Sequence, residues 1–150
     1  LIKMKPEEIT KETPIYTISV VSELLNISTH TLRMYEREGL IIPYKKHSNH
    51  RLYSQNDLEK LTYIRNAIKD KKISISAMKM IYSLIPCWKI INCPEEDRNN
   101  CKAYNYFDTP CWTMVHYNNV CSNKNCRECE VYKEQTNCKR IKEVIKEFTK

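Results

Sequence analysis

Glycine is almost absent: Gly39 is the only one in 150 residues. A Gly-rich phosphate loop has nowhere to form, which excludes Walker-type and Rossmann-type nucleotide sites. No apolar run approaches the ~20 residues needed to cross a bilayer, so no membrane partner is expected. The opening stretch Leu1–Pro14 is polar and charged and lacks the apolar core of a secretion signal, which points to the cytoplasm. Cysteine is missing from residues 1–86, whereas all eight cysteines lie between Cys87 and Cys138. That uneven usage divides the chain near residue 85. Without a secretion signal, clustered cysteines suit a metal or an iron–sulfur cluster better than disulfides.

Charge is unevenly placed as well. The chain carries +7 overall; residues 1–84 hold 14 basic against 9 acidic groups, and residues 85–150 hold 11 against 9. The segment from Asn26 to Tyr53 has five basic residues, two acidic ones and three of the four histidines. This is a modest electrostatic footprint for phosphate binding.

The hydrophobic periodicity predicts a mainly α-helical protein. Residues 1–15 read as a flexible arm with Pro6 and Pro14. Ser19 is a candidate N-cap for a short helix carrying Val20, Val21, Leu24 and Leu25. Ser28 caps a second helix, Thr29 to Glu38, which stops at Gly39, where a left-handed backbone costs no side-chain clash. Two short helices joined at Asn26–Ser28 make a helix-turn-helix. Leu40–Ile42 and Arg51–Tyr53 read as strands of a basic hairpin wing, with Asn49 able to take the turn. Ser54 and Asp57 approximate a capping box for a third helix with Leu58, Leu61, Ile64, Ala67 and Ile68 on one face. Ser74 caps a fourth helix, carrying Ile75, Met78, Ile81 and Leu84, that stops at Pro86. Leu24, Leu32, Leu40, Leu52, Leu58 and Leu61 are expected in the core. Residues 86–133 form a cysteine-rich unit without periodicity, and 134–150 a terminal helix with Ile141, Val144, Ile145 and Phe148 on one face.

The runs Tyr16-Thr17-Ile18-Ser19, Thr31-Leu32-Arg33-Met34-Tyr35-Glu36-Arg37-Glu38-Gly39-Leu40-Ile41 and Arg51-Leu52-Tyr53-Ser54-Gln55-Asn56-Asp57-Leu58 resemble the MerR regulator family. Its pattern is T-L-R-x-Y-E-x-x-G-L, then a short wing, R-x-Y and a D-L helix; the heat-shock-repressor branch is the nearest variety. The resemblance covers residues 16–85 and implies a winged helix-turn-helix that binds double-stranded operator or promoter DNA. Ser28, Thr29 and His30 begin the recognition helix, whose N-terminal residues face base edges. Arg33 and Tyr35 match positions that contact the DNA backbone. Lys45, Lys46, His47 and Arg51 lie on the wing, and Thr17 and Tyr53, within the matching motifs, complete the candidate DNA-binding set. Family members act as homodimers through a long antiparallel helix pair and twist an overlong promoter spacer, which brings RNA polymerase in as a partner. That long helix is missing or short here, so the terminal helix and the cysteine unit are the candidates for dimerisation.

The cysteine unit contains a repeat: Cys87-Trp88, then Cys93, then Cys101-Lys102-Ala103-Tyr104; and Cys111-Trp112, then Cys121, then Cys126-x-x-Cys129 followed by Tyr132. This resembles a small bacterial module with two Cys-Trp motifs, whose pattern has seven of these cysteines, Cys87 through Cys129. Cys138 lies outside that pattern but is kept as an eighth candidate ligand. Thiolates bind soft or borderline cations, and buried thiolates without a counter-charge repel one another. Trp88, Trp112, Tyr104 and Tyr132 would shield sulfur from water, which favours a four-iron four-sulfur cluster over zinc; two tetrahedral zinc ions are the alternative. His116 is read as a surface histidine. The expected activity is DNA-binding regulation with a metal or redox sensor. The alternative is a repressor with a purely structural zinc domain for partner binding. No cysteine has the isolated histidine partner of a nucleophile, so catalysis is not expected.

Overall fold

The computed structural model describes residues 8–134 and 137–150. The first seven residues of the expected arm, and residues 135–136 of the expected terminal segment, lie outside the described residues. Strand β1 (Tyr16–Thr17) leads into α1 (Ile18–Leu25), followed by α2 (Thr29–Arg37), β2 (Tyr44–Lys45), β3 (Arg51–Tyr53), α3 (Gln55–Lys69) and α4 (Ile75–Ser83). The three short strands pair antiparallel in the order β1-β3-β2, with Tyr16 opposite Tyr53 and Tyr44 opposite Leu52.

The start of each of these four helices follows from a side chain that meets an orphan backbone N–H. Ser28 accepts from Thr31, Ser74 from Ala77, and Ser54 with Asp57 makes a full capping box. For α1 the cap is Thr17, which accepts from Val20, and not Ser19. Asn26 ends α1 in the left-handed region at φ 52°, and buried Ile27 pins the turn before α2. The end of α2 is a Schellman motif: Leu40 N–H donates to the Tyr35 carbonyl at 2.9 Å, and Gly39, at φ 77°, donates to Glu36 at 3.0 Å. Glycine is scarce, so asparagine takes the left-handed angle at 26, 49, 92 and 118.

Two expectations about packing change. Leu24 is 59 % exposed rather than core, because α1 turns Val21 inward instead. Leu40–Ile42 forms no strand. Leu40 and Ile41 are buried, and the backbone of Ile42 is engaged elsewhere: its N–H donates to the Tyr132 hydroxyl at 2.7 Å and its carbonyl accepts from Arg127. The wing strand therefore begins later, at Tyr44.

Beyond residue 86 come α5 (Cys87–Ile90), α6 (Glu95–Asn99), α7 (Lys102–Asn105), α8 (Glu130–Lys133) and α9 (Cys138–Phe148), with short 3₁₀ turns at Cys111–Thr113 and Cys126–Glu128. Composition changes sharply near residue 85, but packing does not. One buried cluster contains Leu32, Leu61 and Met78 together with Trp112, Val131, Tyr132 and Ile141. The face of α9 that was a candidate for dimerisation buries Ile141 and Val144 within the same chain. Ile145 and Phe148 remain about 40 % exposed.

Candidate nucleic-acid interface and thiol cavity

Helix α2 and the wing are joined through Glu36, which pairs with Lys45 and Arg51. His30 and Arg33 are exposed and Thr29 half-buried on α2; Lys45, Lys46 and His47 are exposed on the wing. The hydroxyl of Ser28 is engaged in the cap, accepting from Thr31 N–H and bonding the Thr31 hydroxyl at 2.9 Å. None of the ion pairs among the described residues uses Arg33: Glu36 pairs with Lys45 at 2.9 Å and with Arg51, and Glu38 pairs with Lys79. Burial alone would push the Glu36 carboxyl up, but the hydrogen bonds from Arg51 and Lys45 outweigh it and hold the group below its ordinary range. Glu36 thus clamps the wing to α2, and Arg51 acts chiefly as a strut. A groove between α1 and the wing is lined by Thr17, Ser19, Lys46, His50 and Arg51.

One candidate DNA contact is corrected, Tyr53, and the ring of a second, Tyr35, packs inside. Tyr53 is 0 % exposed, and its hydroxyl has no hydrogen-bond partner. Tyr35 is 4 % exposed, with its ring in the core. Tyr35, three residues on from buried Leu32, lies on the same face of α2 and is drawn inward by the area its ring removes from water.

The cysteines gather as the repeat suggests, with one exception. Cys87, Cys93, Cys101, Cys111, Cys121, Cys126 and Cys129 all line a single small cavity. Trp88, Tyr104, Trp112 and Tyr132 also line it. They stand as two edge-to-face pairs, Trp88–Tyr104 at 5.3 Å and Trp112–Tyr132 at 5.2 Å between ring centroids. Cys138 is the exception: it is exposed at the start of α9, where its sulfur accepts from the Tyr63 hydroxyl at 2.7 Å. Cys138 therefore does not line this cavity.

All eight cysteines are free. The hydrogen bond to Cys87 and then burial push the Cys111 thiol well up. Burial raises Cys121 to about 12, and also raises Cys126. As free groups these sulfurs keep their protons at neutral pH. A cation that displaced the protons would relieve the repulsion that ionisation of neighbouring thiols creates. Among the described residues no three donors stand in coordinating geometry, so a metal would bind only after side chains rotate. The donor set, seven thiols on one shielded wall, still fits a thiophilic metal or cluster.

Residues 16–84 match the MerR HTH family of regulatory proteins. They form a MerR-family helix-turn-helix domain. The chain is similar to the heat-shock protein HspR of Streptomyces coelicolor, at 35% identity over 82 residues, covering 55% of this chain and 54% of that protein. It is also similar to the transcriptional regulator GlnR of Bacillus anthracis, at 29% over 75 residues (50% and 57%), and to a ZntR homolog of Haemophilus influenzae, at 35% over 68 residues (45% and 50%). The chain spans about half the length of these curated relatives. No helix among the described residues is long and apolar enough to cross a membrane.

The cavity wall meets the MerR domain at the 39–43 loop between α2 and the wing, and at Asp57 and Lys60 of α3. Trp112 Nε1–H donates to the Gly39 carbonyl at 2.8 Å. Tyr132 accepts from Ile42, and Arg127 reaches both the Ile42 carbonyl and Asp57 of the capping box. Lys60 of α3 is inserted between the rings of Tyr82, Trp112 and Tyr132, at 5.0, 4.7 and 3.8 Å from their centroids. Nothing in the periodicity of α3 marks Lys60 as buried, and nothing in the local sequence marks Arg127. Cys-x-x-Cys spacing around Arg127 and the paired Cys-Trp motifs were the only available signals. Gly39 is doubly constrained, because a Cβ there would press on Thr113 Cγ2 and φ is positive. Gly39→Ala is expected to lower unfolding stability by about 1–2 kcal/mol, the cost of a left-handed non-glycine residue. Thr113 ends in a movable methyl group, so Thr113→Ala should recover little of that loss in denaturant titrations.

Proposed function

We propose that this chain is a DNA-binding transcription regulator that couples the state of a metal or iron–sulfur centre in the thiol cavity to the grip of its MerR domain on an operator. The observation that carries this reading is a shared wall: Trp112 lines the cavity and, in the same residue, hydrogen-bonds the glycine that closes the recognition helix. Helix α2 would enter the major groove with Thr29 and His30 nearest the base edges. Arg33, Lys45, Lys46 and His47 would hold phosphates, setting register rather than sequence preference. The partners are double-stranded promoter DNA, a second copy of the chain and RNA polymerase. The chain acts as a regulator rather than an enzyme, in the cytoplasm, where thiols remain reduced.

A four-iron four-sulfur cluster supplies one-electron chemistry when bound, and zinc supplies a fixed tetrahedral node. This chain's residues supply the rest. Cys87, Cys111, Cys121, Cys126 and Cys129 release protons on loading, so loading weakens as pH falls. A shift of Cys111 displaces Trp112, and through it the Gly39 carbonyl and the base of the wing. A differential of about 1–3 kcal/mol between loaded and unloaded forms is enough to regulate.

Arg33→Ala tests the DNA face. It is expected to weaken operator binding about tenfold and to reduce the dependence on salt by about one ion. Unchanged affinity at matched salt would show that α2 does not face DNA in this way. Metal and sulfide analysis of anaerobically prepared protein tests the centre. If loaded and unloaded forms bind and transcribe equally, the centre is structural, and the zinc-domain repressor becomes the correct reading.

A further inference from the structure

His116 stands on the wall of the thiol cavity, not on the open surface. Its Nε2 lies 2.9 Å from the Cys111 carbonyl. A carbonyl only accepts, so Nε2 carries the proton and donates. In the neutral ring that leaves Nδ1 as the lone-pair nitrogen, and Nδ1 lies 3.9 Å from the sulfur of Cys101. A ring held by one nitrogen on a backbone carbonyl, with the other nitrogen accepting from a thiol, is the arrangement that orients a metal-binding imidazole once a cation replaces the thiol proton. Cys138, by contrast, is exposed and engaged with Tyr63.

We propose that His116, through Nδ1, is the eighth donor of the cavity and binds the same ion as Cys101, while Cys138 takes no part. The inference rests on the centre proposed above and assigns its donors. On loading, the Cys101 thiol gives its proton to solvent and both Cys101 Sγ and His116 Nδ1 turn to the ion; no electron is transferred. One imidazole among thiolates raises the potential of an iron–sulfur centre and completes a Cys₃His set for zinc.

The other three histidines, His30, His47 and His50, are exposed in residues 16–84, so an imidazole signal from the centre reports His116. Full-length protein is prepared anaerobically with ¹⁵N-histidine. An iron centre is reduced and read by pulsed electron paramagnetic resonance, and a zinc centre by X-ray absorption at the metal edge. The expected result is a strongly coupled histidine nitrogen, or a nitrogen scatterer at ~2.0 Å. His116→Ala should abolish it and lower metal content. His116→Cys should restore metal content without the nitrogen signal, and Cys138→Ser should change neither. An all-sulfur centre in the wild-type protein, a nitrogen signal that survives His116→Ala, or loss of metal in Cys138→Ser overturns the assignment while leaving the centre standing. Protein that holds neither metal nor sulfide overturns the centre and the assignment together.

Discussion

Arg127→Met is expected to lower the stability of the full chain by about 3–5 kcal/mol, the usual cost of breaking a buried ion pair from one side. The two side chains are 12% and 7% exposed, and Nη2 meets Asp57 Oδ2 at 2.8 Å. Asp57 also accepts from Ser54 N–H at 2.8 Å, at the start of α3. Removing the guanidinium leaves that carboxylate buried with one donor, and it takes the main partner from the Ile42 carbonyl as well. The more exposed pairs, Lys11–Glu59 and Arg140–Glu134, are each worth at most about 1 kcal/mol by comparison. Denaturant unfolding of Arg127→Met, Asp57→Asn and the double variant gives the coupling energy directly. A coupling below about 1 kcal/mol would mean that the thiol unit is held on the MerR domain by its aromatic contacts alone. Because Arg127 lies between Cys126 and Cys129, the same variant should also bring the operator affinities of loaded and unloaded protein closer together.

The parts of this fold that depend on local chemistry were legible in the sequence. Ser28, Ser54 and Ser74 cap helices because a hydroxyl next to a free N–H needs nothing from the rest of the chain. Gly39 ends α2 for a similarly local reason. The gathering of seven cysteines was legible from the repeat of Cys-Trp and Cys-x-x-Tyr, whereas Cys138, kept as an eighth candidate ligand, stands apart at the start of α9. What periodicity could not supply was the third dimension. Tyr35 and Tyr53 carry residue types suited to phosphate contact, yet their rings belong to the same buried cluster as Leu32 and Leu61. The expected strand at Leu40–Ile42 fails because Tyr132 and Arg127, some 90 and 85 residues further along, engage the backbone of Ile42. His116 looked like a surface residue because its partners, Cys101 and the Cys111 carbonyl, are brought to it only by the fold. The compositional division at residue 85 is real, but the aromatic contacts of Trp112 and Tyr132 make the two parts share one interior.

The same shared interior makes Lys60 the most informative position for pH. Lys60 is 2% exposed and its Nζ has no hydrogen-bond partner. Burial holds its amine down to about 7, from an ordinary value of 10.5, with Asp57 and Cys111 opposing that shift. The unfolded chain therefore binds more protons than the folded one between about pH 7 and 10.5, and stability rises with pH across that window. Below about pH 7 both states are protonated and the cost of burying the ammonium is present in full. Lys60→Met keeps the length of the side chain and removes the charge. It is expected to stabilise the protein by about 1–4 kcal/mol at pH 6, with the gain fading as pH approaches 10. Three ring faces attract an ammonium, which opposes desolvation and sets the size of the effect. Thermal unfolding at matched ionic strength from pH 6 to 10 checks both sign and slope. If Lys60→Met is the less stable protein at pH 6, the rings of Tyr82, Trp112 and Tyr132 outweigh desolvation, and the buried lysine is a clasp between the two parts of the chain.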